Sequence, residues 1–126
     1  MSDKATEIVN PIRITDKLGI LGAAGGVYEL DFSRESALYA TDRGIDVGED
    51  NTSMRMKYIP DLFYCAFRKN HKNISREKID KLRKANKGLG TDFIGRLYAL
   101  LSQALVADTL QLEDDSEKNV AMDVEL

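Results

Sequence analysis

Between Val27 and Phe32 the sequence alternates, VYELDF, and at Ser33 the alternation stops. Tyr28, Leu30 and Phe32 fall on one face and Glu29 and Asp31 on the other, the period of a half-buried strand. From Ser33 onward the apolar spacing is that of helices. A chain that changes period at one point and stays helical afterwards has to pack a small sheet against a helical layer. The expected fold is therefore α+β, mainly α, with an N-terminal β-hairpin followed by a bundle of about four helices.

The alternating strand needs a partner. Pro11 separates a polar start from IRITDKLGIL, where Ile12, Ile14, Leu18 and Ile20 suggest extended structure, and KLGIL is the nearest segment to pair. Gly19, Gly22, Gly25 and Gly26 lie between the two. A phosphate-binding loop would open a helix and carry Lys and Ser/Thr at the turn. These glycines open a strand, carry neither residue and do not fit GxGxxG. Positive φ in a hairpin turn explains them.

The helical part has legible starts and stops. Ser33 caps a first helix, with Glu35 in its first turn, Leu38 and Tyr39 as apolar contacts and Gly44 at its end. After the acidic loop VGEDNTS, Thr52 or Ser53 caps a second, in which Ile59, Leu62, Phe63, Ala66 and Phe67 recur at amphipathic spacing. Pro60 either starts this helix or kinks a longer one, and one helix with an irregular early turn is the preferred reading. Ser75 caps a third helix running to about Lys87, with Ile74 and Ile79 as a hydrophobic staple, Leu82 and Ala85 on its thin apolar face, and Gly88 as its stop. Thr91 caps the longest, DFIGRLYALLSQALVADTL, whose stripe of Ile94, Leu97, Tyr98, Leu101, Ala104 and Leu105 is widened by Phe93, Leu100 and Ala107. Residues 1–11 are expected to be a disordered N-terminal segment, residues 12–111 a single domain, and residues 112–126 an acidic tail without fixed structure, whose removal after Gln111 leaves the fold intact but changes oligomer size.

At 126 residues the chain buries roughly two thirds of its extended surface on folding, enough for one modest core. No apolar run reaches the roughly 18 residues of a membrane span, and the N-terminus lacks the pattern of a secretory signal. Cys65 is the sole cysteine and lies in LFYCAF, so a buried thiol is expected. His71, the sole histidine, sits among lysines in RKNHKN. With no nucleophile beside a base, no paired acid and base and no metal cluster visible, the sequence points to no enzyme, cofactor or metal.

Net charge is −3, with the signs segregated. Residues 1–54 hold five Lys/Arg against ten Asp/Glu, residues 55–87 eleven against three, and residues 88–126 two against eight. A basic middle can attract nucleic acid, an acidic partner or the chain's own acidic ends. A basic helix, a Gly-containing turn and another helix share the outline of a helix-turn-helix. The second helix of that motif reads bases, and here it is the apolar one with Arg96 as its cation, which argues against nucleic acid.

A Gly turn and a VYELDF strand run into a capped helix, and DLFYCAFRKNHKNISREKIDKL joins two more. In this order they resemble the small tail assembly chaperones of long-tailed (siphovirus-type) bacteriophages and prophages. The likeness spans about residues 17–108 and is carried by Leu62, Phe63, Tyr64, Ala66, Arg68, Lys69, Asn70, His71, Ile74, Ser75 and Ile79. The extended GILGAAGG turn and the acidic loop from Asp46 to Asp50 depart from the family pattern. The resemblance implies a mainly helical, self-associating, non-catalytic protein. It would bind the tape measure protein, keep it soluble and help recruit tail tube subunits. It would act in the cytoplasm of the bacterial host and be absent from the mature virion. For such a role the candidate contacts are Phe63 and Phe67 on one helix and Leu97, Leu101 and Leu105 on another, for all of which core packing is the plainer reading. Arg68, Lys69, Lys81 and Lys84 in the basic stretch are candidates for an acidic partner. The alternative is a small basic-helix module that binds nucleic acid or an acidic protein non-specifically.

Overall fold

The structure, a computed structural model, describes residues 6–87, 89–106, 112–113 and 121–126. In chain order these form β1 (Thr6–Glu7), β2 (Ile12–Asp16), β3 (Gly26–Leu30), α1 (Arg34–Asp42), α2 (Thr52–Lys57), α3 (Ile59–Ala66), α4 (Arg76–Ala85), α5 (Thr91–Val106), β4 (Leu112–Glu113) and β5 (Met122–Glu125). One sheet has the order β3-β2-β5, with β2 antiparallel to β3 and parallel to β5, and β1 pairs with β4 in parallel. The fold is α+β and mainly α, with the hairpin at its N-terminal side.

The hairpin pairs IRITD with GVYEL, from Ile12↔Leu30 to Asp16↔Gly26. KLGIL, expected as the partner strand, is instead the loop, and Leu18 is 79% exposed. Asp16 is the reason. Its fully buried carboxylate accepts the N–H groups of Ile20 at 3.0 Å and Leu21 at 2.8 Å, while its carbonyl accepts those of Gly19 and Gly25. Gly19 and Gly25 take φ of 74° and 82°, and a Cβ at Gly19 would lie 2.8 Å from the Ala24 nitrogen. The glycine loop does cradle an anion, and that anion is the chain's own carboxylate.

Ser33 caps α1 through a capping box with Ser36. The helix closes with Gly44 at φ 98°, its N–H bonded to Thr41 O and that of buried Ile45 to Ala40 O, a Schellman stop. Its inward face is Ser36, Ala37 and Ala40, small enough for close helix packing. Leu38, expected to pack, is 44% exposed.

Two helices stand where the sequence pattern favours one. Tyr58 closes α2 and opens α3, and Pro60 occupies the first turn of α3, where its missing N–H costs nothing. Asn51, rather than Thr52 or Ser53, caps α2 by accepting from Met54 N–H. α3 buries Leu62, Phe63, Cys65 and Ala66. The Phe63 ring packs edge-on to Phe67, 5.2 Å between centroids, and 5.9 Å from that of Phe93 on α5. α5 buries Phe93, Leu97, Tyr98, Leu100, Leu101 and Ala104, and α4 adds Ile79 and Leu82. Ala85 is exposed; α4 stops there, and Lys87 takes the left-handed turn at φ 56°. Gly88 and Ala107 lie outside the described residues.

Both termini are more ordered than expected where they are described. Gln103 on α5 donates to the Val9 carbonyl and accepts from its N–H, and Arg96 donates to Asn10 O, so residues 9 and 10 are clamped to α5. At the other end, β5 pairs with β2 from Ile12↔Met122 to Thr15↔Glu125. The acidic tail therefore includes the third strand of the sheet. Residues 1–5 and 114–120 lie outside the described residues.

Candidate functional site

The conspicuous segment DLFYCAFRKNHKN is built to attach α3 to its neighbours. At the last residue of α3 the Ala66 carbonyl accepts the Asp31 N–H at 3.1 Å, and past the helix His71 Nε2 accepts the Glu29 N–H at 3.0 Å. Lys69 Nζ lies 2.8 Å from the Asp31 carboxylate, which also accepts the Phe32 N–H. Asp31, placed on the outer face by strand alternation, is buried because β3 has already ended at Leu30. The Arg68 guanidinium stacks 3.9 Å above the Tyr39 ring of α1. Arg68 and Lys69 are thus committed to internal contacts.

Much of the basic block meets the chain's own acids. Lys72 reaches Glu35, and Arg76 binds Asp61 at 3.0 Å and Asp80 at 3.0 Å. Arg43 and Arg83 flank the same two carboxylates. Lys78, Lys81, Lys84 and Lys87, spaced by three along α4 and its end, are exposed, and their side-chain ammonium groups have no hydrogen-bond or ion-pair partner among the described residues. Lys81 and Lys84 share a shallow depression with Glu77 and Asp80.

Phe63, Phe67, Leu97 and Leu101 are fully or almost fully buried, and half-buried Leu105 packs against the same core. Phe63, Phe67, Leu97 and Leu101 hold the helices together and present no surface for a partner in this fold, and Leu105 alone of the five keeps part of its side chain accessible. Helical periodicity marked the apolar face and could not tell whether neighbouring elements cover it.

An accessible apolar surface lies elsewhere. α2 buries none of its residues, and between it and the start of α5 runs a groove of about 320 Å³ lined by Thr52, Arg55, Met56, Ile59, Leu89 and Ile94, with Thr91 and Gly95 completing it. Met56 is 60% exposed. The Tyr98 hydroxyl donates to the Arg55 carbonyl at 3.0 Å and the Arg55 guanidinium lies 4.4 Å over the same ring, so α2 is pinned to α5 at the end of the groove. Burial raises the Tyr98 pKa, which keeps the phenol a neutral donor. At Gly95 a Cβ would meet nothing within 4 Å, so internal packing does not require glycine there. The spacing of Met54 and Met56 in TSMRMK, which no single helix face can bury, is the sequence signal for this surface.

Burial pushes the Cys65 thiol up to about 11, opposite to the shift that activates a nucleophile. Among the described residues no group of three or more His, Cys, Asp or Glu side chains could hold a metal ion, and no helix is long and apolar enough to cross a membrane.

No curated protein and no solved structure matches the chain. The family model for a domain of unknown function, DUF5055, matches residues 1–126. The chain belongs to the DUF5055 family.

Proposed function

We propose that this protein is a tail assembly chaperone of a long-tailed bacteriophage or prophage. It binds the helical tape measure protein without catalysis, keeps it soluble and promotes addition of tail tube subunits. It self-associates, works in the host cytoplasm and stays out of the finished virion. The observation that carries this reading is the α2/α5 groove. Met56, Ile59, Leu89 and Ile94 offer an apolar trough in which one face of an amphipathic helix fits. Methionine adapts its shape to varied side chains, and Gly95 lets a helix backbone come close. The resemblance over about residues 17–108 supplies the identity of the helical partner.

Co-expression with a candidate tape measure protein tests the reading. Wild-type chain should move that protein into the soluble fraction. Met56→Asp, at an exposed position, should abolish the rescue while leaving circular dichroism unchanged. Failure of the wild type to rescue would overturn the proposal. A second reading rests on the four lysines of α4 and its end whose ammonium groups are unpaired among the described residues: a module that holds nucleic acid or an acidic protein through charge alone. Salt-sensitive retention on DNA, lost in Lys81→Glu/Lys84→Glu and unaccompanied by rescue, would favour it.

A further inference from the structure

The β3-β2-β5 sheet has two edges, and the fold treats them differently. Along β3 the outward N–H groups of Glu29 and Asp31 are taken by His71 and by the Ala66 carbonyl, so the end of α3 closes that edge. Along β5, Leu126 donates to Thr15 O at 2.9 Å and accepts from Lys17 N–H at 3.1 Å. Peptide groups alternate in direction along a strand. Residues 122, 124 and 126 therefore turn to β2, while the peptide groups of Asp123 and Glu125 turn outward, where no further strand pairs among the described residues.

Charge and apolar surface both continue to this edge. In register across the solvent face lie Glu29, Arg13 and Asp123, alternating in sign. Arg13 is 3.9 Å from Asp123, and Lys17 is 3.9 Å from Glu125. The two carboxylates remain 68% and 72% exposed, each with a cation on its β2 side and solvent on the other. On the inner face Met122, Val124 and Leu126 are half-buried against the core. Met122 also lines a groove of about 670 Å³ with Val9, Gly95, Arg96 and Ala99.

We propose that the β5 edge receives an extended segment of a partner protein that carries Lys or Arg at alternate positions with apolar residues between them. A strand added there bonds the free peptide groups of Asp123 and Glu125. It extends the alternation of charge with its cations and lays its apolar side chains over Met122 and the groove. Pairing of β5 with β5 of a second copy sets carboxylate beside carboxylate and is disfavoured. The acidic rim likewise repels nucleic acid. The proposal stands independently of the tail chaperone reading.

The test uses the full chain and a short fluorescent peptide alternating Lys and Val, followed by anisotropy. Three further reagents accompany it: the peptide with alternate amides N-methylated, a peptide alternating Glu and Val, and the Asp123→Lys/Glu125→Lys variant, checked for folding by circular dichroism. Saturable binding of the Lys peptide, weakened on the order of tenfold by N-methylation, is the expected result. The variant should lose the Lys peptide by a similar factor and gain the Glu peptide. Absence of saturable binding would overturn the proposal. So would equal binding of the N-methylated peptide, which would mean attraction by charge alone, or unchanged Lys-peptide binding by a folded variant.

Discussion

Asp16, His71 and Cys65 each place a functional group where packing decides its chemistry. The Asp16 carboxylate replaces a solvent cage with two backbone donors, so Asp16→Ala strands Leu21 N–H in the interior. We expect a loss of about 2–4 kcal/mol in urea unfolding, the cost of orphaned buried donors. His71 is neutral at Nε2, where it accepts the Glu29 N–H, and burial lowers its pKa from 6.5 against the opposing pull of the Glu29 carboxylate. As pH falls the unfolded chain takes the proton first, so the contribution of His71 is complete above about pH 6.5 and is lost below it. The urea midpoint should fall between about pH 7 and 5.5, and His71→Gln, which keeps an acceptor, should flatten that slope. Cys65, fully buried with its thiol pushed up to about 11, should be inert to a disulfide reagent in the native protein and react once on unfolding.

At the scale of elements, α5 carries the most informative irregularity. Glycine at position 95 weakens a helix by about 1 kcal/mol relative to alanine, and nothing within the fold needs the space. Gly95→Ala should raise stability by about 0.5–1 kcal/mol and weaken capture of a tape measure protein, both readable by thermal melting and pull-down. Local chemistry made the elements with caps legible in the sequence. Ser33 and Ser75 sit at the N-caps of α1 and α4, and the switch of period at Ser33 separates sheet from helix. β5 does alternate, Met122, Val124 and Leu126 against Asp123 and Glu125, but the pattern is only five residues long and its partner β2 lies at the other end of the chain, so no neighbouring segment identifies it as a strand. The groove was missed for a related reason: Ile59 and Ile94 read as core by spacing, and their partial exposure depends on how little α2 covers.

Across the whole molecule the three charge blocks fold against one another. Asp31 and Glu35 from the acidic start meet Lys69 and Lys72, and Asp123 and Glu125 from the acidic end meet Arg13 and Lys17. Lys69–Asp31 is partly buried, whereas the three exposed pairs contribute little each, and together they leave α4 as the face with unspent positive charge. Removing residues 112–126 strips the outer edge of β2 and the cover that Met122, Val124 and Leu126 give the core. A fall of about 2–4 kcal/mol in unfolding free energy is expected, with light scattering reporting association through the bared edge.

The parallel pairing of β2 with β5 also imposes a chronology. The hairpin of β2 and β3 can close from local sequence as soon as it is made, whereas the third strand of the sheet, Met122–Glu125, is synthesised only after all five helices. Contacts that join distant parts of a chain form slowly. A nascent or truncated chain therefore passes through a stage in which the helices have formed and one flank of the sheet still waits, and closure of the sheet is timed by the arrival of four residues.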